Sequence, residues 1–318
     1  MNLEDEFAQY RGQLVAHCYR MLGSLFDAED AVQETYLRAW RGFADFEQRS
    51  SVKTWLYRIA TRVCLNALQH SSRRMVPSAL GAPGIDPHDV GAESLETSWL
   101  EPFPDLLLST DPAQVVGTRQ SLRLAMVAAL QHLPARQRAV LILRDVLAWQ
   151  ASEVAGLLET STAAVNSSLQ RARAEMAKLA PAEDDFSEPD EPVRRALLDQ
   201  YAKAFEKADL VALKGLLTQD TRWEMPPIPT WFYGRDEVLG LLATKILPAG
   251  EGRRILVETA ANGQPAFAMY VRGRDGIFHA HSLKVLTLTK AGVSAVMAFH
   301  NPSLFPAFGL PIDRYPQE

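Results

Sequence analysis

The sequence predicts a multidomain fold in which two all-α domains precede a C-terminal α+β domain. Apolar residues recur at three- and four-residue spacings over 5–74 and again over 113–179, which is the period of amphipathic helices. After residue 192, short strand-like segments replace that period, separated by the hairpin dipeptides Asn262-Gly263, Asp275-Gly276 and Ala291-Gly292. The predicted segments are a first domain at 1–74, a linker at 75–112, a second domain at 113–180, a linker at 181–191 and a third domain at 192–318.

Composition excludes several classes of protein. The formal net charge is −5 and hydrophobic residues make up 47%, which is ordinary for a globular chain. Two cysteines, Cys18 and Cys64, are too few for a disulfide framework, and we expect both to be buried and reduced. No apolar run is long enough for a membrane span, and the acidic N-terminus is unlike a signal peptide. We therefore expect a cytoplasmic protein.

Three helices account for the first domain. Gly23 is predicted to end the first helix in a left-handed conformation, and Asp27 to cap the second. A third helix is expected from about Val52 through Gln69. Beyond Met75, prolines and glycines interrupt the helical pattern as far as Pro112, which is typical of a linker.

The second domain contains a predicted helix-turn-helix. Ala151–Leu158 is amphipathic, 159–161 forms the turn, and Ser161 is a candidate N-cap for the next helix. The inner stripe of that helix consists of Val165, Leu169, Ala172 and Met176. Small and hydrogen-bonding side chains suited to the major groove cover its other faces: Thr162, Ala163, Asn166, Ser167, Gln170, Arg171 and Arg173. A plain helical hairpin with a basic face would show the same local pattern.

A longer match favours DNA recognition. Pro134 stands at the predicted first turn of a helix that precedes the helix-turn-helix. The stretch Leu133–Leu158 (LPARQRAVLILRDVLAWQASEVAGLL), followed by Val165–Arg173 (VNSSLQRAR), resembles region four of RNA polymerase sigma factors. The resemblance implies that the helix from Thr162 reads the minus-thirty-five element of a promoter.

The first domain resembles region two of the same family. Asp27–Thr35 (DAEDAVQET) is similar to the segment that binds the polymerase β′ clamp helices. The resemblance implies polymerase contacts by Asp27, Asp30, Gln33, Glu34, Leu37 and Trp40. Leu37 and Trp40 lie off the inward stripe of this helix, as a partner-binding surface requires.

Charge and aromatic residues point to single-stranded DNA in the next segment. Residues 49–74 contain no Asp or Glu but several basic residues, and the aromatic residues Phe43, Phe46, Trp55 and Tyr57 are interleaved with these. Cationic side chains neutralise phosphates and aromatic rings stack on unpaired bases, although a basic face over core aromatics is the simpler alternative. Ser50–Ala60 (SSVKTWLYRIA) resembles regions 2.3 and 2.4 of the extracytoplasmic-function (ECF) sigma factors. The implied minus-ten contacts are Phe46, Arg49, Ser51, Lys53, Trp55, Arg58, Arg62 and Asn66.

The third domain is predicted to combine helices with an antiparallel meander. Its helices are expected at about Val193–Ala208, Leu210–Leu217 and Gly234–Leu247. Its strands are expected at Asp220–Met225, Arg254–Thr259, Ala266–Arg272, Ile277–Thr289 and Val293–His300. The order of elements and the string Asp220–Pro227 (DTRWEMPP) resemble the SnoaL-like cone fold, related to ketosteroid isomerase. The linker string Trp99–Asp105 (WLEPFPD) resembles the sigma factor subgroup that carries such a domain.

A cone fold encloses a pocket, with room for a small-molecule ligand. The candidate lining residues are Trp223, Trp231, Phe232, Tyr270, His279, His281, Phe299 and His300. His279 and His281 would share one face of a strand, but no third ligand is near them, so we favour pocket lining over a metal site. No cofactor is predicted.

Taken together, the resemblances imply a non-enzymatic sigma factor whose partners are promoter DNA and core polymerase, the latter through its β′ clamp helices and β flap. The C-terminal domain would regulate that activity. The main alternative is a SnoaL-like isomerase or cyclase with accessory helices, which would need a pocket carboxylate such as Asp220 or Glu224 as a general base. A third alternative is an ordinary repressor or activator that uses only the helix-turn-helix.

Overall fold

The computed structural model describes residues 3–46, 50–70, 72–108, 120–179, 189–248 and 250–315. The chain divides into two compact units. The first contains Met1–Arg74 and Leu100–Ala180, and the second contains Met75–Trp99 and Pro181–Glu318. The two predicted helical domains therefore form a single unit, and the predicted linker at 75–112 is divided between the two units.

Three helices form the first half of unit one: α1 (Leu3–Leu22), α2 (Leu25–Gly42) and α3 (Val52–Ala67). Gly23 ends α1 with a φ of 70°, as predicted. The expected cap at Asp27 was wrong, because α2 begins earlier and Ser24 is its N-cap, accepting a hydrogen bond from the Asp27 amide at 3.1 Å. Asp27 instead lies in the first turn and forms an ion pair with Arg74.

A polar contact is buried between α1 and α3. His17 Nε2 lies 2.9 Å from Thr61 Oγ1, and burial lowers the pKa of His17 to about 3, with a smaller contribution from Arg20. His17 is therefore neutral at physiological pH and acts as a hydrogen-bonding core residue. Cys18 and Cys64 lie in the same core as free, buried thiols, as the sequence predicted.

In the described residues, unit one continues with α4 (Leu124–Leu130), α5 (Ala135–Leu141), α6 (Ala151–Leu158) and α7 (Thr162–Leu179). A π-helical turn, Ile142–Val146, extends α5. Pro134 is the N-cap of α5, one position before the predicted first-turn site. The segment that returns from unit two packs on α1 and α2, where Glu101 Oε2 accepts hydrogen bonds from Ser24 Oγ at 2.8 Å and from the Leu25 amide at 2.9 Å. Its carboxylate thus stabilises the positive end of α2.

Unit two packs helices on a mostly antiparallel sheet. The helices are α8 (Glu191–Glu206), α9 (Leu210–Leu216) and α10 (Arg235–Leu241), the last extended by a π-helical turn, Leu242–Ile246. The strands are β1 (Leu217–Met225), β2 (Ile228–Tyr233), β3 (Arg254–Ala261), β4 (Gln264–Arg272), β5 (Phe278–Thr289), β6 (Gly292–Phe299) and β7 (Asp313–Arg314). Their order is β2-β1-β6-β5-β4-β3, with β7 beside β5. The β1–β6 pair is parallel and the other pairs are antiparallel.

Strand β2 was absent from the sequence prediction. Prolines at 226, 227 and 229 argue against a strand there, because proline has no backbone N–H to donate to a neighbouring strand. The strand is tolerated because it lies at the sheet edge. The predicted hairpin at Asn262-Gly263 is confirmed, and both residues have a positive φ, 58° and 69°.

Residues 75–99 cross the surface of unit two and do not form a free linker. Glu224 Oε2 accepts a hydrogen bond from the Ser78 amide at 2.9 Å, and the carbonyl of Trp231 accepts one from the Gly84 amide at 2.7 Å. Trp231 Nε1 donates to the carbonyl of Gly81 at 2.9 Å. In the described parts of the chain, no helix combines the length and apolar character that crossing a membrane requires.

Candidate polymerase and promoter interfaces

Helix α3 presents the predicted minus-ten residues with differing exposure. Ser51 is exposed and caps the helix, with its Oγ accepting from the Thr54 amide at 3.1 Å. Arg62 and Asn66 are exposed further along α3, whereas Arg58 is half-buried. Lys53 lies over the Tyr10 ring, with Nζ 5.9 Å from its centroid. Arg49, the remaining basic residue predicted here, lies outside the described residues.

An aromatic platform stands at the N-terminal end of α3. Phe46 stacks on Trp55 with ring centroids 4.8 Å apart, and Phe43 lies 6.3 Å from each of these rings. All three rings are half-buried, so part of their surface remains available for stacking on a base. Tyr57, which the sequence grouped with them, is 3% exposed and packs against His17 in the core.

Helix α2 carries the predicted polymerase-binding face. Leu37 and Trp40 are 48% and 57% exposed, a large apolar surface for one helix. Asp30 and Gln33 are also exposed, while Asp27 and Glu34 are half-buried. Asp27 pairs with Arg74, and Glu34 pairs with Arg38 at 2.7 Å.

Sequence reasoning missed one exposed ring on this helix. Phe26, in the first turn of α2, is 37% exposed. The apolar pattern of α2 gave no reason to separate it from the core residues around it.

The helix-turn-helix has the predicted geometry. Glu159 adopts a left-handed conformation at the turn, with a φ of 53°, and Ser161 Oγ accepts from the Ala164 amide at 3.1 Å. The predicted inner stripe of α7 is buried: Val165, Leu169, Ala172 and Met176. All seven residues expected to face DNA are exposed: Thr162, Ala163, Asn166, Ser167, Gln170, Arg171 and Arg173. Arg173 is also held by Asp145 through two hydrogen bonds, of 2.9 and 2.7 Å.

The predicted pocket in unit two is built differently from the expectation. A cavity of about 320 Å³ lies there, and of the eight candidates only His281 and His300 line it. Trp223, Phe232 and Phe299 are buried in the core, the Tyr270 hydroxyl donates to the Pro311 carbonyl at 2.9 Å, and Trp231 bonds to Gly81.

His279 was also misplaced by the sequence argument. Its ring nitrogens lie 3.0 Å from Asp275 and 2.7 Å from Asp313, on an exposed side of the sheet. A register shift in the β4–β5 pairing explains the error, because Ala280 lies opposite Tyr270 while Ser282 lies opposite Met269. This bulge at His281 interrupts the strict alternation on which a shared face depends.

Comparison with known proteins assigns both helical parts of unit one. The family model Sigma-70 region 2 matches residues 7–74, and Sigma-70 region 4 matches residues 123–176. The chain is 50% identical over 304 residues to the ECF RNA polymerase sigma factor SigG of Mycobacterium tuberculosis, covering 95% of this chain and 82% of that protein. It belongs to the ECF RNA polymerase sigma factors.

A second relative extends the match over the C-terminal domain. The ECF sigma factor SigJ of M. tuberculosis is 28% identical over 312 residues, covering 95% of this chain and 92% of that protein. The crystal structure of SigJ matches with a TM-score of 0.61 at 24% sequence identity, covering 98% of this chain and all of that one. These matches confirm the predicted fold class, two helical sigma regions followed by an α+β domain. They also confirm the prediction of a transcription initiation factor over the alternative prediction of an isomerase or cyclase.

Regions two and four of this sigma factor are packed together within unit one. The guanidinium of Arg138 on α5 is 4% exposed and donates to the carbonyl of Met21, at the end of α1. It also donates to Gln131 Oε1 at 2.6 Å and to the carbonyls of Gln131 and Leu133 at 3.1 and 3.2 Å. At the periphery, Arg62 of α3 pairs with Glu159 of the helix-turn-helix at 3.1 Å. Part of the predicted minus-ten surface is therefore engaged by region four.

Region four also contains an apolar groove that the sequence analysis did not find. Its volume is about 550 Å³. The residues that line it come from α4, α5 with its π-helical turn, α7 and the segment before α4: Gln120, Ser121, Met126, Leu130, Leu141, Ile142, Asp145, Val146, Arg173, Met176 and Ala177. These residues are scattered over three helices, so no local motif reveals the groove.

Replacing Arg138 with methionine should destabilise unit one by about 3 kcal/mol, because several buried carbonyls at two helix ends would lose a charged donor. Urea unfolding of the full chain measures this loss. Arg136→Met is the matched control, since Arg136 lies on the same helix but is exposed. Equal stability of the two variants would show that the Arg138 contacts do not hold the regions together.

Proposed function

We propose that this ECF sigma factor recognises both promoter elements through unit one and that the C-terminal domain restrains it. In this proposal α3 and the aromatic platform engage the minus-ten element, and α7 reads the minus-thirty-five element. The burial pattern of α7 is the main support for this proposal. Its predicted inner stripe is buried, and every predicted DNA-facing residue is exposed. Small and amide side chains on that exposed face suit close approach to base edges.

Two surfaces suit core polymerase. The α2 face, with Leu37 and Trp40 exposed beside Asp30 and Gln33, fits a helical partner such as the β′ clamp helices. The groove of region four is apolar along most of its walls and could bind an apolar segment of the polymerase. We assign this segment to the β flap.

The arrangement of unit one cannot bind both promoter elements at once. Elements named for minus ten and minus thirty-five lie about 25 base pairs apart, which is about 85 Å at about 3.4 Å per base pair. Arg62 and Glu159, on the two surfaces that would read them, are 3.1 Å apart. Regions two and four must therefore separate before promoter recognition, and polymerase would supply the binding energy for this step.

The segment that joins the two regions is held in a closed loop, which opposes that separation. Its 75–99 stretch could span about 80 Å if extended, at about 3.3 Å per residue. Instead the Met75 amide donates to the Ser98 carbonyl at 2.8 Å, and Met75 forms a β-bridge with Trp99. Both ends of the loop therefore leave unit two side by side. Its hydrogen bonds to β1 and β2, through Glu224 and Trp231, allow the C-terminal domain to hold regions two and four together.

Trp40→Ala should weaken binding of core polymerase at least ten-fold, since a large exposed ring is a typical anchor of an interface. Fluorescence anisotropy of labelled full-length protein titrated with core enzyme measures the affinity. Val211→Ala is the control, because Val211 is 85% exposed but lies in the C-terminal domain. Unchanged affinity of the Trp40 variant would exclude α2 as the clamp-binding helix.

Asn166→Ala and Arg171→Ala should affect promoter recognition in different ways. Loss of a base contact at Asn166 is expected to cost about 1–3 kcal/mol at one promoter position and to relax specificity there. Loss of a phosphate contact at Arg171 should weaken binding to all promoter sequences alike. It should also lower by about one the number of ions released on binding, which sets the salt dependence of the affinity. Run-off transcription with core polymerase on single-base promoter variants, at several salt concentrations, distinguishes them. Identical behaviour of both variants would contradict the assigned roles.

Gly84→Val should raise transcription several-fold by detaching the closed loop from the C-terminal domain. A Cβ at Gly84 would stand 2.9 Å from Thr230 Cγ2 and 3.3 Å from the ring of the buried Phe232. Gly81→Val is a matched control three residues earlier, where an added Cβ meets nothing within 4 Å. Run-off assays of the holoenzyme compare the two. Equal transcription by both variants, or lower transcription by the Gly84 variant, would contradict a restraining role.

A further inference from the structure

The cavity of unit two has an unusual charge composition. Its walls are largely apolar and are formed by Val90, Met225, Ile228, Leu241, Ile246, Met269 and Val271. Every other residue that lines it is basic: Lys245, Arg254, His281, Lys284 and His300. No carboxylate contributes to this lining among the described residues. A ligand with an apolar body and a negative charge would complement both parts of the surface.

Lys284 is the central basic group. It lies on β5 and is 1% exposed, with Nζ 4.9 Å from the ring centroids of both Phe205 and Trp223. Within the described residues, Nζ has these cation–π contacts but no hydrogen bond and no carboxylate partner. Burial, with a smaller contribution from the charge of Arg254, lowers the pKa of Lys284 to about 7. A buried cation without a counter-ion is costly, and a bound anion would remove that cost.

Arg254 adds positive charge beside Lys284, and two buried histidines, neutral at physiological pH, add polar ring nitrogens. Arg254 is held in place by hydrogen bonds to the carbonyls of Ile246 and Gly250. His281 and His300 have ring centroids 5.1 Å apart, and burial together with Lys284 lowers their pKa values to about 4 and about 3. His281 Nδ1 is buried and lacks a hydrogen-bond partner. A ring nitrogen in this position can donate to or accept from a ligand oxygen.

We propose that this cavity binds an amphipathic organic anion. Its acid group lies against Lys284 and Arg254, and its apolar body lies along Met225, Met269 and Val271. A volume of about 320 Å³ is within the range of small-ligand sites and excludes large polyanions. The site does not depend on the promoter assignments, so it can be tested without polymerase or DNA.

Binding of three probes with the same alkyl chain tests the proposal: octanoate, 1-octanol and octylammonium. Isothermal titration calorimetry on the full chain should show that octanoate binds at least ten-fold more tightly than 1-octanol, or about 1.4 kcal/mol. Octylammonium should bind most weakly. If 1-octanol or octylammonium binds as tightly as octanoate, or if none of the three binds below millimolar concentration, the proposal is overturned.

Substitutions locate the anion within the cavity. Lys284→Met, similar in length and without charge, should abolish the preference for octanoate over 1-octanol, whereas Lys290→Met in the exposed β5–β6 turn should retain it. Lys245→Gln serves as a second variant, because Lys245 is exposed and its replacement does not disturb the core. This substitution should weaken the binding of octanoate two- to three-fold and leave the affinity for 1-octanol unchanged. An undiminished preference in both Lys284→Met and Lys245→Gln overturns the proposal.

Discussion

The buried guanidinium of Arg138 is the interaction on which the arrangement of the two sigma regions depends. The last carbonyls of a helix have no partner within the helix and attract a cation. Arg138 serves two such ends, those of α1 at Met21 and of α4 at Gln131 and Leu133. Burial lowers its pKa to about 10, so the guanidinium remains charged at neutral pH. Because α1 belongs to region two and α4 to region four, one side chain satisfies backbone groups of both.

Under the proposed function, this interaction explains how the chain can expose its predicted DNA-facing residues and still be unable to use them together. The predicted DNA-facing side of α7 and the predicted polymerase-binding face of α2 are accessible in the packed unit, whereas Arg62 is paired with Glu159. The Arg62–Glu159 pair is exposed and contributes little by itself, so it acts as a peripheral contact beside the buried Arg138 cluster. Separation of the regions requires new partners for the carbonyls and the guanidinium. Water can supply these at modest net cost, which leaves the equilibrium within reach of polymerase binding.

The sequence predicted those parts of the molecule that depend on local periodicity. Helix α6 and the buried stripe of α7 follow from apolar spacing, and the Asn262-Gly263 hairpin follows from residues that tolerate a positive φ. The roles of Arg138 and of the 75–99 segment could not be predicted in this way. Arg138 looks like one more basic residue of a DNA-binding domain, and its burial depends on contacts more than a hundred residues apart. Within the pocket, a single bulge at His281 was enough to invalidate an argument from strand alternation.

The closed loop and the cavity share a residue, and this would give the C-terminal domain a physical means of responding to the proposed ligand. Val90 belongs to the 75–99 segment and forms part of the cavity wall. A ligand that contacts Val90 binds better while the segment is docked, because undocking would remove an apolar wall and admit water to the cavity. A ligand can shift an equilibrium only by its difference in affinity for the two states. By this argument an anion in the cavity would favour the docked loop, and therefore the packed regions two and four, in proportion to the apolar contact that it makes with Val90.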